Sequence, residues 1–503
     1  MKWFNSRYWI FLPLIIVVLL KALIHSKFTM IYTDDDQVIN WLSAVEESEG
    51  RFHSIYFYGQ QYNMSLESLI GALLLKLGLS VEVAMPLAGS ILSIIPFLVV
   101  FALFFRKEDT TVIWIGATML CLLPNEYHMI SSMVRGFFGA IGLASIGLAL
   151  LTLKPERWKL IGLILCVLSY YANPNSILLT LPVLAYYVTT APELFEKLKN
   201  PLTLTKWAFA LFGSIFLFQP PNANSIQFVH KLWAMNWGIE FLLDNVRHIG
   251  ERWQFITPIW NNGVLFIVIL GACILTSFRH NRLLGYLTLS VFIFVLVSLG
   301  LEKTTDGTAN VFFPYERMYL ALPLVISLLP RVQGIELKPA HKFMLMVVAL
   351  IGLGQSVSSI EPDVLTHVQE NSGKVGVKTI SELCVQCEEI NALMDEFNAD
   401  VAVFHSKADM FNYGCKALIP SLKTIHPAYE RRYWTFKELG FDAHDRLLFF
   451  DWSLSFENSL IYHTGRLSHL KNVPYPVYLL EENNMRLVDL YVINKLSLRP
   501  YEE

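Results

Sequence analysis

Long apolar runs, each closed by a few charged residues, are the recurring pattern of the chain. They fall at roughly 8–25, 82–105, 111–131, 136–153, 158–172, 175–191, 204–219, 258–278, 284–301, 316–331 and 342–359. A helix needs about twenty apolar residues to cross the hydrocarbon core, so these runs predict about eleven membrane-spanning helices. Two of them, 158–172 and 175–191, are short and meet at Ala172-Asn-Pro-Asn175, where the proline predicts a turn. The first run follows Lys2 and Arg7, is interrupted only by Lys21, and lacks a small-residue cleavage site, so it reads as a retained anchor.

Charge in the connections predicts the threading. Every second connection is basic: Lys2 and Arg7, Arg106 and Lys107, Lys154 with Arg157 and Lys159, Lys197 and Lys199, Arg279 and Arg282, and Arg331 to Lys342. The alternate connections carry Asp34 to Asp36, Glu67, Glu126, Glu302 and Asp306. Basic loops stay cytoplasmic, which predicts an inner N-terminus and an outer acidic cluster. After an odd number of spans the C-terminal region is expected outside as well.

Between the acidic cluster and the second run, Leu66, Leu69, Ile70, Leu73, Leu74 and Leu77 recur at helical spacing, with Glu67 at the start and Gly78 at the end. About a dozen residues is short for a span, so this helix is expected to lie in the outer interface. Beyond residue 360 charge rises and the apolar runs shorten to strand length. Asp400 to Phe404, Arg446 to Phe450, Pro476 to Leu480 and Leu487 to Ile493 predict strands, and 379–397 and 428–439 predict helices. The expected division is therefore a membrane domain over 1–360 and a small α/β domain over 361–503.

Composition agrees with this picture. Of 503 residues, 54% are hydrophobic, 13% aromatic and only 16% charged, which is too apolar for a soluble chain. The net charge of -3 comes without a basic block, so nucleic acid is not an expected partner. Among six cysteines, Cys121, Cys166 and Cys273 sit inside apolar runs and read as packing residues. Cys384-x-x-Cys387 is open to three readings, a redox pair, half a metal site or a local disulfide, and no second pair completes a zinc site.

Candidate chemistry gathers on the outer side. Asp34, Asp35 and Asp36 are followed by a second segment, Phe57-Tyr-Gly-Gln-Gln-Tyr-Asn-Met-Ser-Leu-Glu67. The bland alternative is a solvated acidic cap on a membrane segment. Other outer loops add Asn125-Glu-Tyr-His128 and Arg135, then His230, Lys231, Arg247, His248, Glu251 and Arg252 among tryptophans, then Glu302, Asp306 and Tyr315-Glu-Arg-Met-Tyr319. A carboxylate accepts a proton from an attacking hydroxyl or holds a divalent metal. Arginine pairs bidentately with a phosphate. Carboxylates on one loop and cations on others suit an anionic, lipid-linked substrate, whereas near a span end Arg135 and Arg317 would merely snorkel to head groups.

At these residues the sequence resembles the GT-C superfamily of integral membrane glycosyltransferases, such as the protein O-mannosyltransferases and the aminoarabinose lipid A transferase. The resemblance rests on the acidic motif in the first outer loop, Tyr58-Gly59-Gln60 with Tyr62, Leu66-Glu67 opening a helix, and Arg317-x-Tyr319 entering a late span. It implies a GT-C-like, α-helical polytopic fold over residues 1–360, with the C-terminal α/β domain on the outer (periplasmic) face of the inner membrane. It also implies a polyprenyl-phosphate sugar donor, a hydroxyl acceptor on a glycan, lipid or protein, and in some members a divalent metal such as Mg or Mn.

The expected roles follow from that resemblance. Asp35 leads as general base or metal-organising carboxylate, with Asp36 beside it and Asp34 leaving the register open by one. Arg135, Arg317, Arg247, Arg252 and His128 are the candidates for the donor phosphate. Tyr58, Gln60, Tyr62 and Glu67 would shape the substrate pocket. The main rival is a transporter or flippase of a lipid-linked saccharide, which should carry polar residues in mid-span. A non-catalytic membrane anchor for the C-terminal domain is the third reading.

Overall fold

A computed structural model describes residues 11–59, 63–106, 110–153, 155–190, 200–218, 236–333, 335–371, 376–404, 409–426, 430–432, 434–435, 439, 445–450, 466–471 and 477–481. Gln60, Tyr62, His230, Lys231 and the strand expected at 487–493 lie outside these residues. The described residues form two compact units. The first draws on Met1–Thr29, Gly89–Pro220 and Trp233–Gln369, and the second on Met30–Ala88 and Glu370–Glu503.

Each apolar run falls on a helix. Within the first unit these are Phe11–Ile24, Thr111–Leu122, Asn125–Ser132, Phe137–Leu151, Glu156–Ala172, Ile177–Thr190, Pro201–Phe218, Gly263–His280, Arg282–Ser298 and Leu322–Val332, with most of Val81–Arg106 and Pro339–Asn371. Among the described residues four segments are long and apolar enough to cross a membrane: Phe11–Thr29, Val81–Leu103, Gly263–His280 and Pro339–Glu370. The run at 111–131 does not stay straight. Leu123 turns extended before Pro124, and a second helix starts at Asn125. Asn125–Ser132 and Phe137–Leu151 then meet at 85°, with Gly136 in the left-handed region at φ 77°.

The outward faces of these helices are apolar. Phe209 is 79% exposed, Leu275 65% and Ile351 57%. Large side chains left bare in such numbers need a lipid solvent, which makes the chain an integral membrane protein. Inside, Gly147 and Gly162 let two helices touch, since a Cβ on Gly147 would stand 2.8 Å from the Gly162 carbonyl oxygen. Lys21, the one charge in the first run, is buried and donates to Ser131 Oγ at 2.6 Å.

The second unit is α/β. Strand β1 (Tyr32–Thr33) pairs antiparallel with β2 (Lys378–Thr379), which joins the start of the acidic motif to the C-terminal part of the chain. Thr379 then caps the helix Ile380–Glu396 in a reciprocal box with Glu382. A five-stranded sheet runs in the order β4-β3-β5-β7-β6, with β3 (Val401–Phe404), β4 (Thr424–Ile425), β5 (Leu447–Phe450), β6 (Arg466–Lys471) and β7 (Val477–Glu481). Strand β3 is parallel to β4 and β5, and β7 is antiparallel to β5 and β6. The strands expected at 400–404, 446–450 and 476–480 are present. Strand β4, two residues long, and the polar β6 carry too little pattern to be read from sequence.

The cysteine pairing differs from the local disulfide considered at Cys384-x-x-Cys387. Cys387 is bonded to Cys415, with the Cα atoms 5.0 Å apart, and Cys384 is a free thiol. Cys387 sits on the buried face of Ile380–Glu396, where Asp409–Leu418 brings Cys415 to it. Closing 28 residues stabilises the fold by about 3–4 kcal/mol on loop entropy. Peptide mapping after alkylation should therefore find Cys387 linked to Cys415 and Cys384 alkylated without reduction. Recovery of a Cys384–Cys387 peptide would overturn the pairing.

Candidate active site

The acidic motif opens a helix. Asp34 is extended, wholly buried, and accepts the Gln37 backbone N–H on Oδ1 at 3.0 Å, so it is the N-cap of Asp35–Ser48. Burial and capping rule out a solvated cap for this residue. Asp35 and Asp36 occupy the first turn, where the unpaired backbone N–H groups favour negative charge. Asp35 is partly exposed and accepts the Gly376 N–H on Oδ2 at 3.2 Å. Asp36 faces Arg431, its Oδ1 3.6 Å from Nη1. Three consecutive carboxylates thus have three different environments.

The second segment folds back beside this helix. Phe57 N–H donates to Asn63 and Ser65 N–H to Ile55, which closes the 55–65 loop. Tyr58 is buried and donates its hydroxyl to Glu46 Oε2 at 2.7 Å. Burial, with Glu46 adjacent, pushes the Tyr58 hydroxyl well above its usual pKa, so it remains a donor. Gly59 takes φ 81°, and a Cβ there would lie 3.1 Å from the Arg431 side chain, so a glycine meets both demands. Glu67 is buried in the first turn of Leu66–Lys76.

The far end of the Asp35–Ser48 helix holds a further carboxylate that the sequence did not mark. Glu47 Oε1 accepts from Ser43 at 3.1 Å and Ser68 at 3.0 Å. Burial pushes its pKa up to about 7 despite those two hydrogen bonds.

The stretch at 430–435 was also missed. It falls in the helix expected at 428–439, and its described residues 430–432 are not helical. Glu430 and Arg432 are buried and bonded, Nε to Oε1 at 2.7 Å and Nη2 to Oε2 at 2.9 Å. Burial disfavours a charged Glu430, but Arg432 and the hydrogen bonds prevail and hold its pKa below the usual value.

The first unit gathers the cations. Arg135 donates to the Phe312 carbonyl, which ties the bend at 133–136 to the 302–317 loop. Arg317 pairs with Asp306 at 3.0 Å, and its guanidinium lies 4.2 Å over the Phe313 ring. Arg252 pairs with Asp244 at 2.7 Å, donates to the Thr305 carbonyl, and stacks 3.8 Å over Tyr315. Arg247 is exposed one turn earlier. His128 lies in a short helix and is wholly buried, its Nε2 2.9 Å from the Leu120 carbonyl oxygen. Glu316, beside Arg317, is buried and accepts the Phe255 N–H at 3.0 Å, and burial pushes its pKa well up. Three loops far apart in sequence therefore meet in this unit through their charged side chains.

Among the described residues no group of three or more His, Cys, Asp or Glu side chains is arranged for a metal ion. Asp34 caps its helix and Asp36 faces a cation.

Two solved structures match the whole chain. One is the crystal structure of ArnT from Cupriavidus metallidurans bound to undecaprenyl phosphate, at TM-score 0.55 and 11% identity, covering 93% of this chain and 97% of that one. The chain has the fold of ArnT. The other is ArnT from the same organism in the apo state, at TM-score 0.45 and 11% identity. The fold expected from the acidic motif is thus borne out as far as the fold of ArnT goes. No family model matches the sequence, and neither does any curated protein. At this identity the shared property is the fold.

Glu47 generates a pH prediction. Its folded pKa, about 7, is above the ordinary 4.5, so the folded state binds the extra proton between those values. Its stabilising contribution is complete below pH 4.5 and is lost as pH rises through 7. The Glu47→Gln variant should melt with a flatter pH dependence across that window and be the more stable protein at pH 8. Parallel melting curves for both proteins from pH 4.5 to 8 would contradict the assignment.

Proposed function

We propose that this protein is a membrane glycosyltransferase that moves a sugar from a polyprenyl-phosphate donor to an acceptor hydroxyl on the outer face of the membrane. The observation that carries the reading is the likeness to ArnT over 93% of the chain, in a structure that holds undecaprenyl phosphate. The acidic motif, placed at a helix start with Asp34 buried as its cap, supports it. An outer location for the second unit is supported by the Cys387–Cys415 bond, because disulfides persist in oxidising compartments. The alternation of basic and acidic loops agrees with that location.

In the proposed reaction Asp35 takes the proton from the acceptor hydroxyl as its oxygen bonds to the anomeric carbon. The bond from that carbon to the phosphate oxygen breaks, and the electron pair leaves with the lipid phosphate. Asp34 caps its helix and Asp36 faces Arg431; Asp35, partly exposed in the first turn, is the carboxylate proposed for the base role. Arg135, Arg317, Arg247, Arg252 and His128 are proposed to receive the donor phosphate. Arg317 and Arg252 already donate to carboxylates in bonds of the kind a phosphate would accept. Tyr58, Gln60, Tyr62 and Glu67 are proposed to line the sugar or acceptor pocket. The acceptor class is a glycan, lipid or protein hydroxyl.

The test is transfer of a labelled sugar from polyprenyl phosphate by membranes holding equal amounts of each variant. Asp35→Asn keeps size and removes the base, so transfer should fall by about two orders of magnitude or more. Asp34→Asn should keep the cap, because asparagine caps a helix about as well as aspartate, and should lose little rate. Near-wild-type turnover in Asp35→Asn, with collapse in Asp34→Asn at unchanged protein level, would move the base by one residue. Near-wild-type turnover in both would end the mechanism.

A further inference from the structure

We propose that Arg431 is a positioning residue for the acidic motif, and that Arg431 and Trp434 together clamp the 53–59 loop against it. The anchor is the buried Glu430–Arg432 pair. Glu430 also accepts from Asn412 Nδ2 at 3.1 Å and from the His426 N–H at 3.2 Å. Arg432 donates further to the Thr424 carbonyl at 2.9 Å and to Asn412 Oδ1 at 3.2 Å. With their hydrogen bonds made on Asp409–Leu418 and beside β4, the two residues fix the backbone on either side of Arg431. Arg431 turns instead toward Asp36 and Phe57, and its own N–H is held by the Tyr413 hydroxyl at 2.9 Å.

That direction leads to the motif. The guanidinium meets Asp36, lies 5.6 Å over the Phe57 ring, and its stem runs along Gly59. Trp434 extends the same grip. Its ring stacks on His53 with centroids 3.9 Å apart and 7° between planes, and it meets the edge of Tyr58 at 4.6 Å. Arg431 and Trp434 thus touch the helix start and four residues of the loop. The Arg431 side chain is only 13% exposed, so its ion pair is worth more than a solvated one. The aromatic and glycine positions of the loop are explained by what this arginine needs: a ring to lie over and an open path for its stem.

The kinetic arm of this proposal rests on the transferase reading, and the structural arm does not. The experiment uses the full-length protein in lipid nanodiscs, as wild type, Arg431→Gln, Arg431→Lys, Asp36→Asn and the double variant Arg431→Gln/Asp36→Asn. Hydrogen exchange of the amides at 55–59 should speed up in Arg431→Gln, while the β3 and β5 amides keep their wild-type protection. In the transfer assay Arg431→Gln should lower kcat about tenfold or more with little change in either KM, since displacement of a reacting group costs rate rather than affinity. Arg431→Lys should recover part of that loss, and the double variant should be no worse than the poorer single. Unchanged exchange at 55–59 in Arg431→Gln overturns the clamp. So does a loss of kcat that lysine does not relieve and that adds fully to Asp36→Asn. If the wild-type protein transfers no sugar, the transferase reading fails, and the exchange result alone decides the clamp.

Discussion

A buried carboxylate–guanidinium pair, Glu430 with Arg432, is the interaction on which the second unit depends most. Removing two charges from water costs several kcal/mol each, and that cost is met only when every remaining lone pair and N–H is used. Here Asn412, the His426 N–H and the Thr424 carbonyl complete the set. Deleting either partner alone would leave an uncompensated buried charge, a loss of about 3–5 kcal/mol. The consequence is local precision in a stretch without regular structure. Arg431 and Trp434 inherit that precision and pass it to the loop that carries Tyr58 and Gly59.

The first unit follows the same rule at its polar end. Arg135, Arg252 and Arg317 are each tied to a carbonyl or carboxylate of another loop, and Glu316 takes a backbone N–H. Elsewhere this unit turns apolar side chains outward, as a lipid solvent requires. Lys21, buried within a span, donates to Ser131.

Local pattern was legible in the sequence, and long-range pairing was not. Apolar runs gave helices because burial in lipid needs only length and apolarity, and the periodic leucines gave Leu66–Lys76 for the same reason. The three carboxylates stood out as a motif, yet their division of labour was hidden. Asp34 looks like its neighbours until the backbone shows that it caps, and Asp36 until Arg431 arrives from nearly four hundred residues away. Cys387 likewise sits three residues from Cys384 but pairs across 28 residues with Cys415. Pro124 and the polar Asn125-Glu126-Tyr127-His128 do interrupt the run at 111–131, where the helix breaks, whereas β1–β2, two residues a side, has no sequence signature at all.

The central claim is that this fold breaks the bond between a sugar and a lipid phosphate. The most direct measurement is mass spectrometry of the lipid after purified protein in nanodiscs is supplied with a polyprenyl-phosphate-linked sugar and a mixture of envelope acceptors. The account predicts that free polyprenyl phosphate appears in step with a glycosylated acceptor. Recovery of the sugar still attached to its lipid phosphate, now exposed on the opposite side of a sealed vesicle, would contradict it in favour of a flippase.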